Sequence, residues 1–263
     1  MKVRPPAVAG SFYPADPAVL RSTVDEALAE ASDRVPAGPA PKAVIVPHAG
    51  YVYSAPIAAS AYVRVVAGRG RISRVVLLGP AHRVAVRGVA APSAEAFATP
   101  IGSVPVDRAG RKALVDAGLV TVRDDVHAAE HSLEVQLPFL QVVLGDVPVL
   151  PLAVGDAGPA LVAGVLDAVW GGDETLVVVS SDLSHYLDHV SATEADRRTA
   201  SAIVARRPDR LGRYDACGVR PVKGLLAAAV RHDLDVDLLD LRTSAETAGD
   251  PDRVVGYGAF ALA

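Results

Sequence analysis

Three of the seven histidines stand just beyond short apolar runs. Residues 43–46 (AVIV) are followed by Pro47-His48-Ala49-Gly50-Tyr51, and residues 75–78 (VVLL) by Gly79-Pro80-Ala81-His82. Residues 175–179 (TLVVV) lead into Ser180-Ser181-Asp182-Leu183-Ser184-His185-Tyr186. Imidazole is the commonest metal ligand and the side chain best suited to proton transfer near neutral pH. A histidine just past each of three different runs points to one polar cleft built for metal binding or acid/base work. A fourth cluster is Glu130-His131-Ser132-Leu133-Glu134. On a helix, Glu130 and Glu134 would share a face, with His131 beside Glu134. Glu130 then reads either as a site residue or as an acid serving the helix dipole. The second histidine of a zincin is missing. Cys217 lies in Tyr214-Asp215-Ala216-Cys217-Gly218, ahead of a helix opened by Pro221. Near a helix start a thiolate is favoured and can bind zinc, copper or iron; the alternative is a small buried hydrophobe. Tyr51 and Tyr53 either gate the cleft or pack against it. His127 and His189 read as loop residues, and His232 as a partner of a helix end.

The elements that must position these groups follow from the apolar pattern. The runs at 43–46, 75–78, 147–154 and 175–179 do not alternate polar with apolar. Continuous β-branched runs are the mark of parallel strands covered on both faces. Parallel strands bring all their carboxyl ends to one rim, where ligands bind in open α/β sheets. Pro148 and Pro151 place the third run at a sheet edge or make it irregular. Helical spacing occupies the intervals. Asp16 caps a helix begun by Pro17, whose apolar face runs through Leu20, Val24, Leu28 and Ala31. Further helices are predicted over 56–66, 108–117, 130–144, 159–170, 191–205 and 221–231. Pro138 kinks or ends the fourth of these seven, and Ser191 with Glu194 forms a capping box for the sixth. Residues 238–241 and 254–262 read as closing strands. The whole, 1–263, is a single α/β domain with a mainly parallel central sheet flanked by helices. The only linker-like stretch is 35–41 (VPAGPAP).

Composition narrows the class. A formal net charge of -4 predicts no nucleic-acid partner and no anionic membrane surface. One cysteine excludes an internal disulfide and suits a reducing compartment. The N-terminus lacks the apolar core of a secretion signal, and no run approaches the ~18 apolar residues of a membrane span. A cytoplasmic protein is expected. There is no Gly-rich phosphate loop after a strand and no G-x-S-x-G nucleophile elbow.

Taken together, these residues resemble the Memo family, which includes AmmeMemoRadiSam system protein B of bacteria. The resemblance rests on Ala7-Val8-Ala9-Gly10-Ser11-Phe12-Tyr13-Pro14, on Val46-Pro47-His48-Ala49-Gly50-Tyr51-Val52-Tyr53-Ser54 and on Gly79-Pro80-Ala81-His82. It continues through residues 130–140 (EHSLEVQLPFL), Ser180 to Tyr186, Cys217-Gly218 and Gly256-Tyr257-Gly258-Ala259, in the family's order.

The resemblance implies a fold similar to that of class III extradiol dioxygenases, in which two histidines and a carboxylate hold iron. Memo proteins look like these enzymes with cysteine in place of the carboxylate. Carried across, the metal ligands are His48, His82 and Cys217. His185 matches the acid/base histidine, oriented by Asp182, and His131 orients substrate. Tyr51 and Glu134 are expected on the substrate side or behind it. The implied cofactor is iron or copper, with zinc possible for a thiolate-containing set. The implied chemistry is redox or oxygen chemistry on a small molecule. A metal-dependent hydrolase using a zinc-bound water is a weaker alternative. Another is a non-catalytic protein using the same cleft for an anionic peptide or for a partner from a radical SAM system; animal members of the family are linked to binding of phosphotyrosine peptides.

Overall fold

A computed structural model describes residues 2–263. Its elements begin with β1 (Val3–Arg4), α1 (Pro17–Ser32), β2 (Ala43–Val46), α2 (Tyr51–Val65) and β3 (Arg74–Pro80). A small excursion follows: β4 (Val89–Ala91), β5 (Ala96–Thr99), β6 (Gly102–Pro105), α3 (Arg108–Asp116), β7 (Thr121–Val122) and α4 (Asp124–Ala128). The chain then forms α5 (Leu137–Leu144), β8 (Val149–Val154), α6 (Pro159–Ala168), β9 (Thr175–Ser180) and β10 (His185–Leu187). It closes with α7 (His189–Val204), α8 (Val219–Arg231), β11 (Val236–Thr243) and β12 (Val254–Leu262).

The main sheet has nine strands in the order β10-β12-β2-β9-β3-β8-β4-β7, with β11 also paired to β12. Its centre, β2-β9-β3-β8, is parallel throughout. The flanks are antiparallel: β12 against β2 on one side and β4 against β8 on the other. The sheet is therefore mixed, with the parallel core that the apolar runs predict. Along each central strand, side chains alternate between two covered faces. Val44 and Val46 join one core cluster and Ala43 and Ile45 the other; Val75 and Leu77 part from Val76 and Leu78 in the same way. With helices on both faces, neither face tolerates a polar residue, so the runs read as continuously apolar. Among the described residues, no helix is long and apolar enough to cross a membrane.

Four local expectations are corrected. The third apolar run is not an edge strand. β8 is regular and lies between β3 and β4. Pro151 is tolerated because the Asp107 N–H bonds the Val149 carbonyl on the β4 flank, and the Pro151 nitrogen points to that same flank. There the β4 ladder pairs only Ala153 and Val154, so no bond is forfeited. The predicted helix over 130–144 is halved. Residues 130–131 are irregular and 132–133 form a turn, a single 3-10 turn spans Glu134–Gln136, and Pro138 opens α5 at its first turn instead of kinking it. The helix predicted from residue 56 begins at Tyr51, whose N–H bonds the Phe12 carbonyl. Finally, Asp188 and not Ser191 caps α7, accepting the Ser191 N–H at 3.0 Å.

Candidate metal centre and its cleft

The parallel core does what its topology requires. β2, β3 and β9 end side by side, and His48, His82 and Asp182 follow their last residues. With His131 and His185 these groups line one cavity of about 460 Å³. The rings of His48, His82 and His131 form a cluster. His82 stacks on His131 at 4.7 Å between centroids, and His48 meets both edge-on at 5.2 and 5.4 Å.

Hydrogen bonding fixes which nitrogen of the His48 and His82 rings carries the proton. Nδ1 of His48 lies 3.0 Å from Ser180 Oγ. The single Ser180 hydroxyl proton is given to the Ser132 carbonyl at 2.6 Å, so toward His48 this oxygen accepts. The Gln136 amide also donates to Ser180 Oγ (2.8 Å) and to the Pro47 carbonyl (2.8 Å). Its own oxygen accepts from the Tyr62 hydroxyl at 3.0 Å, which sets the amide's orientation. His48 is thereby held with Nδ1 protonated and the Nε2 lone pair free. In His82, Nδ1 donates to Glu130 Oε1 at 2.9 Å, again leaving Nε2 free. Glu130 accepts the His82 and Ser132 backbone N–H groups as well, at 2.5 and 2.9 Å. Burial alone would raise the Glu130 carboxyl. The His82 ring and these N–H donors outweigh it and hold the group well below the usual carboxylate range.

Nδ1 of His131 is buried without a hydrogen-bond partner. Burial, reinforced by the neighbouring His48, lowers His131 to about 4. Burial, reinforced by the neighbouring His82, lowers His48 to about 3. Both rings are neutral at physiological pH, the form that binds a metal. In His185 the Nδ1–H donates to the Leu183 carbonyl at 2.8 Å, which leaves Nε2 as the acceptor. That carbonyl, not Asp182, orients the ring. Asp182 instead accepts the His48 N–H at 2.7 Å and that of Ala49. Burial raises its carboxyl above the ordinary value against the pull of these donors.

Cys217 reaches the same centre from the segment before α8. Its Sγ is 3.1 Å from His48 Nε2 and accepts the Asp182 N–H at 3.3 Å. Burial, helped by the Asp182 charge, pushes the thiol up. The ligand atoms fall into two sets, each within 4.8 Å: His48, His82 and His131, and His48, Asp182 and Cys217. His48 is common to both. Among the described residues, no set contains His82 together with Cys217. Convergent neutral imidazoles, an unpartnered ring nitrogen and an adjacent thiol suit iron, copper or zinc, and the donor set alone does not choose between them.

Of the two positions open for Tyr51 and Glu134, on the substrate side or behind it, the structure has both behind the cavity wall. Glu134 is fully buried and does not line the cavity. It accepts from Arg4, the Ala7 and Val8 N–H groups (2.8 and 3.0 Å) and the Tyr13 hydroxyl (2.5 Å), anchoring the N-terminal segment. The helix that would have turned it toward His131 is absent. Tyr51 is also buried and donates its hydroxyl to the Val135 carbonyl at 2.6 Å. Tyr53 lines the cavity instead. Sequence reasoning left Glu130 undecided and missed Ser180 and Gln136 as ring-orienting groups, although all three stand in the quoted motifs. Tyr257, within a quoted motif, and Arg253, outside all of them, also line the cavity, a role sequence reasoning gave to neither.

The family model for Memo-like protein matches residues 4–261. The chain belongs to the Memo family. It is 38% identical to a MEMO1 family protein of Methanopyrus kandleri, over 98% of each chain. It is 36% identical to one of Methanococcoides burtonii, over 98% of this chain and 99% of that one. It is 34% identical to one of Aquifex aeolicus, again over 98% of each. In fold it is similar to the crystal structure of an uncharacterized protein of Escherichia coli K12. The TM-score is 0.54 at 15% identity, covering 82% of this Memo-family chain and 98% of the other.

Proposed function

We propose that this protein is a metal-dependent oxidoreductase that transforms a small molecule in the cleft, using iron or copper. The observation that carries the reading is the commitment of both Nδ1–H groups, His48 to Ser180 and His82 to Glu130. Imidazoles anchored through one nitrogen so that the other stays unprotonated are how proteins prepare histidine for a metal. His48 and His82 hold the ion, with His131 and Cys217 on either side of His48 to complete the set. The metal supplies one-electron chemistry and activation of oxygen or substrate. His185 takes or gives the proton through Nε2, since its Nδ1–H is held by the Leu183 carbonyl. His131, against Phe12 at 4.6 Å, orients the substrate. Asp182 fixes the backbone that presents His48. We place the protein in the cytoplasm, where partly buried Cys217 stays reduced.

The test is elemental analysis of anaerobically purified protein beside His48→Ala and Cys217→Ser, followed by oxygen uptake with catechol-like or thiol reductants. The reading expects near-stoichiometric iron or copper, lost in His48→Ala, and oxygen uptake that needs His185. It fails if the loaded wild type neither consumes oxygen nor changes the metal's oxidation state. One observation favours a second reading, a binding protein for a peptide or for a component of a radical SAM system. Tyr186 and Tyr53, 64% and 37% exposed, stand on the cavity wall as ready contact surface. Partner binding that survives His185→Ala, with no activity ever affected, supports it.

A further inference from the structure

Asp196 lies on α7, outside every motif that points to the cleft, yet its carboxylate is buried. No cation pairs with it among the described residues. Both oxygens are spent on one residue: Oδ1 accepts the Ser184 N–H at 2.9 Å and Oδ2 the Ser184 hydroxyl at 3.1 Å. Ser184 immediately precedes His185. The same stretch is held from its other side by β12, because Gly256 donates its N–H to the Ser184 carbonyl and accepts the Leu183 N–H, each at 2.8 Å. Gly256 must be glycine for this clasp. A Cβ there would overlap the Asp196 carboxylate, which packs against the bare backbone. The Leu183 carbonyl so fixed is the one that accepts the His185 Nδ1–H. Tyr186, next along in β10, has a left-handed backbone (φ 64°), and the pairing of β10 with β12 shifts register between His185 and Leu187, so this short strand is irregular where it leaves the clasp.

We propose that Asp196 is a positioning residue for His185. By gripping Ser184 from α7 it locks the Leu183 carbonyl under the imidazole, and so selects the Nδ1–H tautomer of the neutral ring, with Nε2 toward the cavity. The proposal deepens the function above and rests on its reading of His185 as the proton carrier. The carboxylate acts through hydrogen bonds, not through its charge. Asparagine retains an oxygen for the Ser184 N–H and an amide that the serine hydroxyl can accept, so it preserves the grip. Alanine removes it.

The experiment is 15N NMR of the histidine rings in metal-free protein labelled at histidine, with His185 assigned by its loss in His185→Gln. Wild type is compared with Asp196→Ala, Asp196→Asn and Gly256→Ala. In the wild type, His185 is expected as the Nδ1–H tautomer. Asp196→Ala should mix the two tautomers and broaden the His185 signals while leaving those of His48 and His131 unchanged; a role in general stability would disturb all three. Asp196→Asn should restore the wild-type spectrum, and Gly256→Ala should reproduce the alanine effect by pushing the carboxylate aside. A folded Asp196→Ala with a native His185 spectrum overturns the proposal. So does an Asp196→Asn spectrum as altered as that of alanine. If Asp196→Ala does not fold, Ser184→Ala and Gly256→Ala decide: native His185 spectra in both overturn it. Metal content of the wild type is measured separately, so absence of metal would sink the oxidoreductase reading and leave this result standing.

Discussion

Ser180→Ala isolates the group that sets the His48 tautomer. Among the described residues, Ser180 Oγ is the only acceptor for the His48 Nδ1–H, and it is fully buried. Its loss leaves that N–H and one proton of the Gln136 amide facing a methyl group, and leaves the Ser132 carbonyl without its donor. An unsatisfied buried donor costs about 1–3 kcal/mol. His48 can relieve part of this by moving its proton to Nε2, which cancels the lone pair a metal needs. Loss of a hydrogen-bond partner behind a metal-binding histidine weakens metal affinity by roughly 10–100-fold, or about 1.4–2.8 kcal/mol. Tyr62→Phe provides the graded control, because it leaves Ser180 in place and removes only the hydroxyl that orients Gln136. The assay is competition for Zn²⁺ or Fe²⁺ against a chromophoric chelator at pH 7, beside a urea unfolding curve. The expected order of affinity is wild type, then Tyr62→Phe, then Ser180→Ala. A well-folded Ser180→Ala that binds either metal within about threefold of wild type, well inside that 10–100-fold range, would show that the relay does not govern His48.

Three further predictions rest on other groups. Glu134→Gln strips the buried Arg4 of its anion and breaks the anchor of the N-terminal segment; removal of one partner from a buried pair costs about 3–5 kcal/mol, visible as a lower urea midpoint. A change under 1 kcal/mol would mean the pair is not what holds Arg4. Glu130→Gln removes the charged acceptor of His82 and should weaken metal binding by about tenfold while His48-dependent binding persists, read by the same competition assay. The metal-free protein should lose stability as pH falls from about 6.5 toward 4, because burial depresses His48 to about 3 and His127 and His131 to about 4. The sign follows from the protons: below 6.5 the unfolded histidines bind protons that the folded ones refuse, so each contributes a loss of up to about 1.4 kcal/mol per pH unit until its folded value is reached. Urea midpoints at pH 7, 6 and 5 that do not fall would refute this.

Much of this architecture was legible in the residues. The runs at 43–46 and 175–179 announce β2 and β9 because strands covered on both faces have no polar face to interrupt them. The histidines after β2 and β3 announce the rim because parallel strands end together. What stayed hidden depended on contacts between distant segments. Pro151 reads as an edge signal, and only the short β4 ladder beside it shows why an interior strand accepts it. The Glu130–Glu134 spacing reads as a helical face. The two carboxylates instead face opposite ways, because Arg4, Tyr13 and the N-terminal backbone claim Glu134 while His82 claims Glu130. Tyr51 and Tyr53 were equivalent in sequence, and the start of α2 at Tyr51 is what buries the first and turns the second to the cleft.

Cys217 poses the remaining question about the metal set, and its proton supplies a way to answer it. In the metal-free protein the His48 Nδ1–H is already engaged, so the contact between Nε2 and Sγ can hold only the thiol's own proton. The Asp182 N–H meanwhile donates to the sulfur from another side. The lone pair that a metal would take is therefore the one that accepts the Cys217 proton, and burial has made that proton hard to remove. Binding at His48 Nε2 must displace the S–H contact. If Cys217 joins the set as thiolate, the proton is released to solvent, and affinity rises with pH by about tenfold per unit. If the imidazoles suffice without the thiolate, the buried rings of His48 and His131 are already neutral over this range, and Cys217 adds no pH slope to the affinity. Zinc affinity measured from pH 6.5 to 8 in wild type and Cys217→Ser separates the two. A slope in wild type that vanishes in Cys217→Ser assigns the thiolate to the metal. Parallel profiles leave the metal to the three histidines and make Cys217 a neighbour whose role is to occupy His48 when no metal is bound.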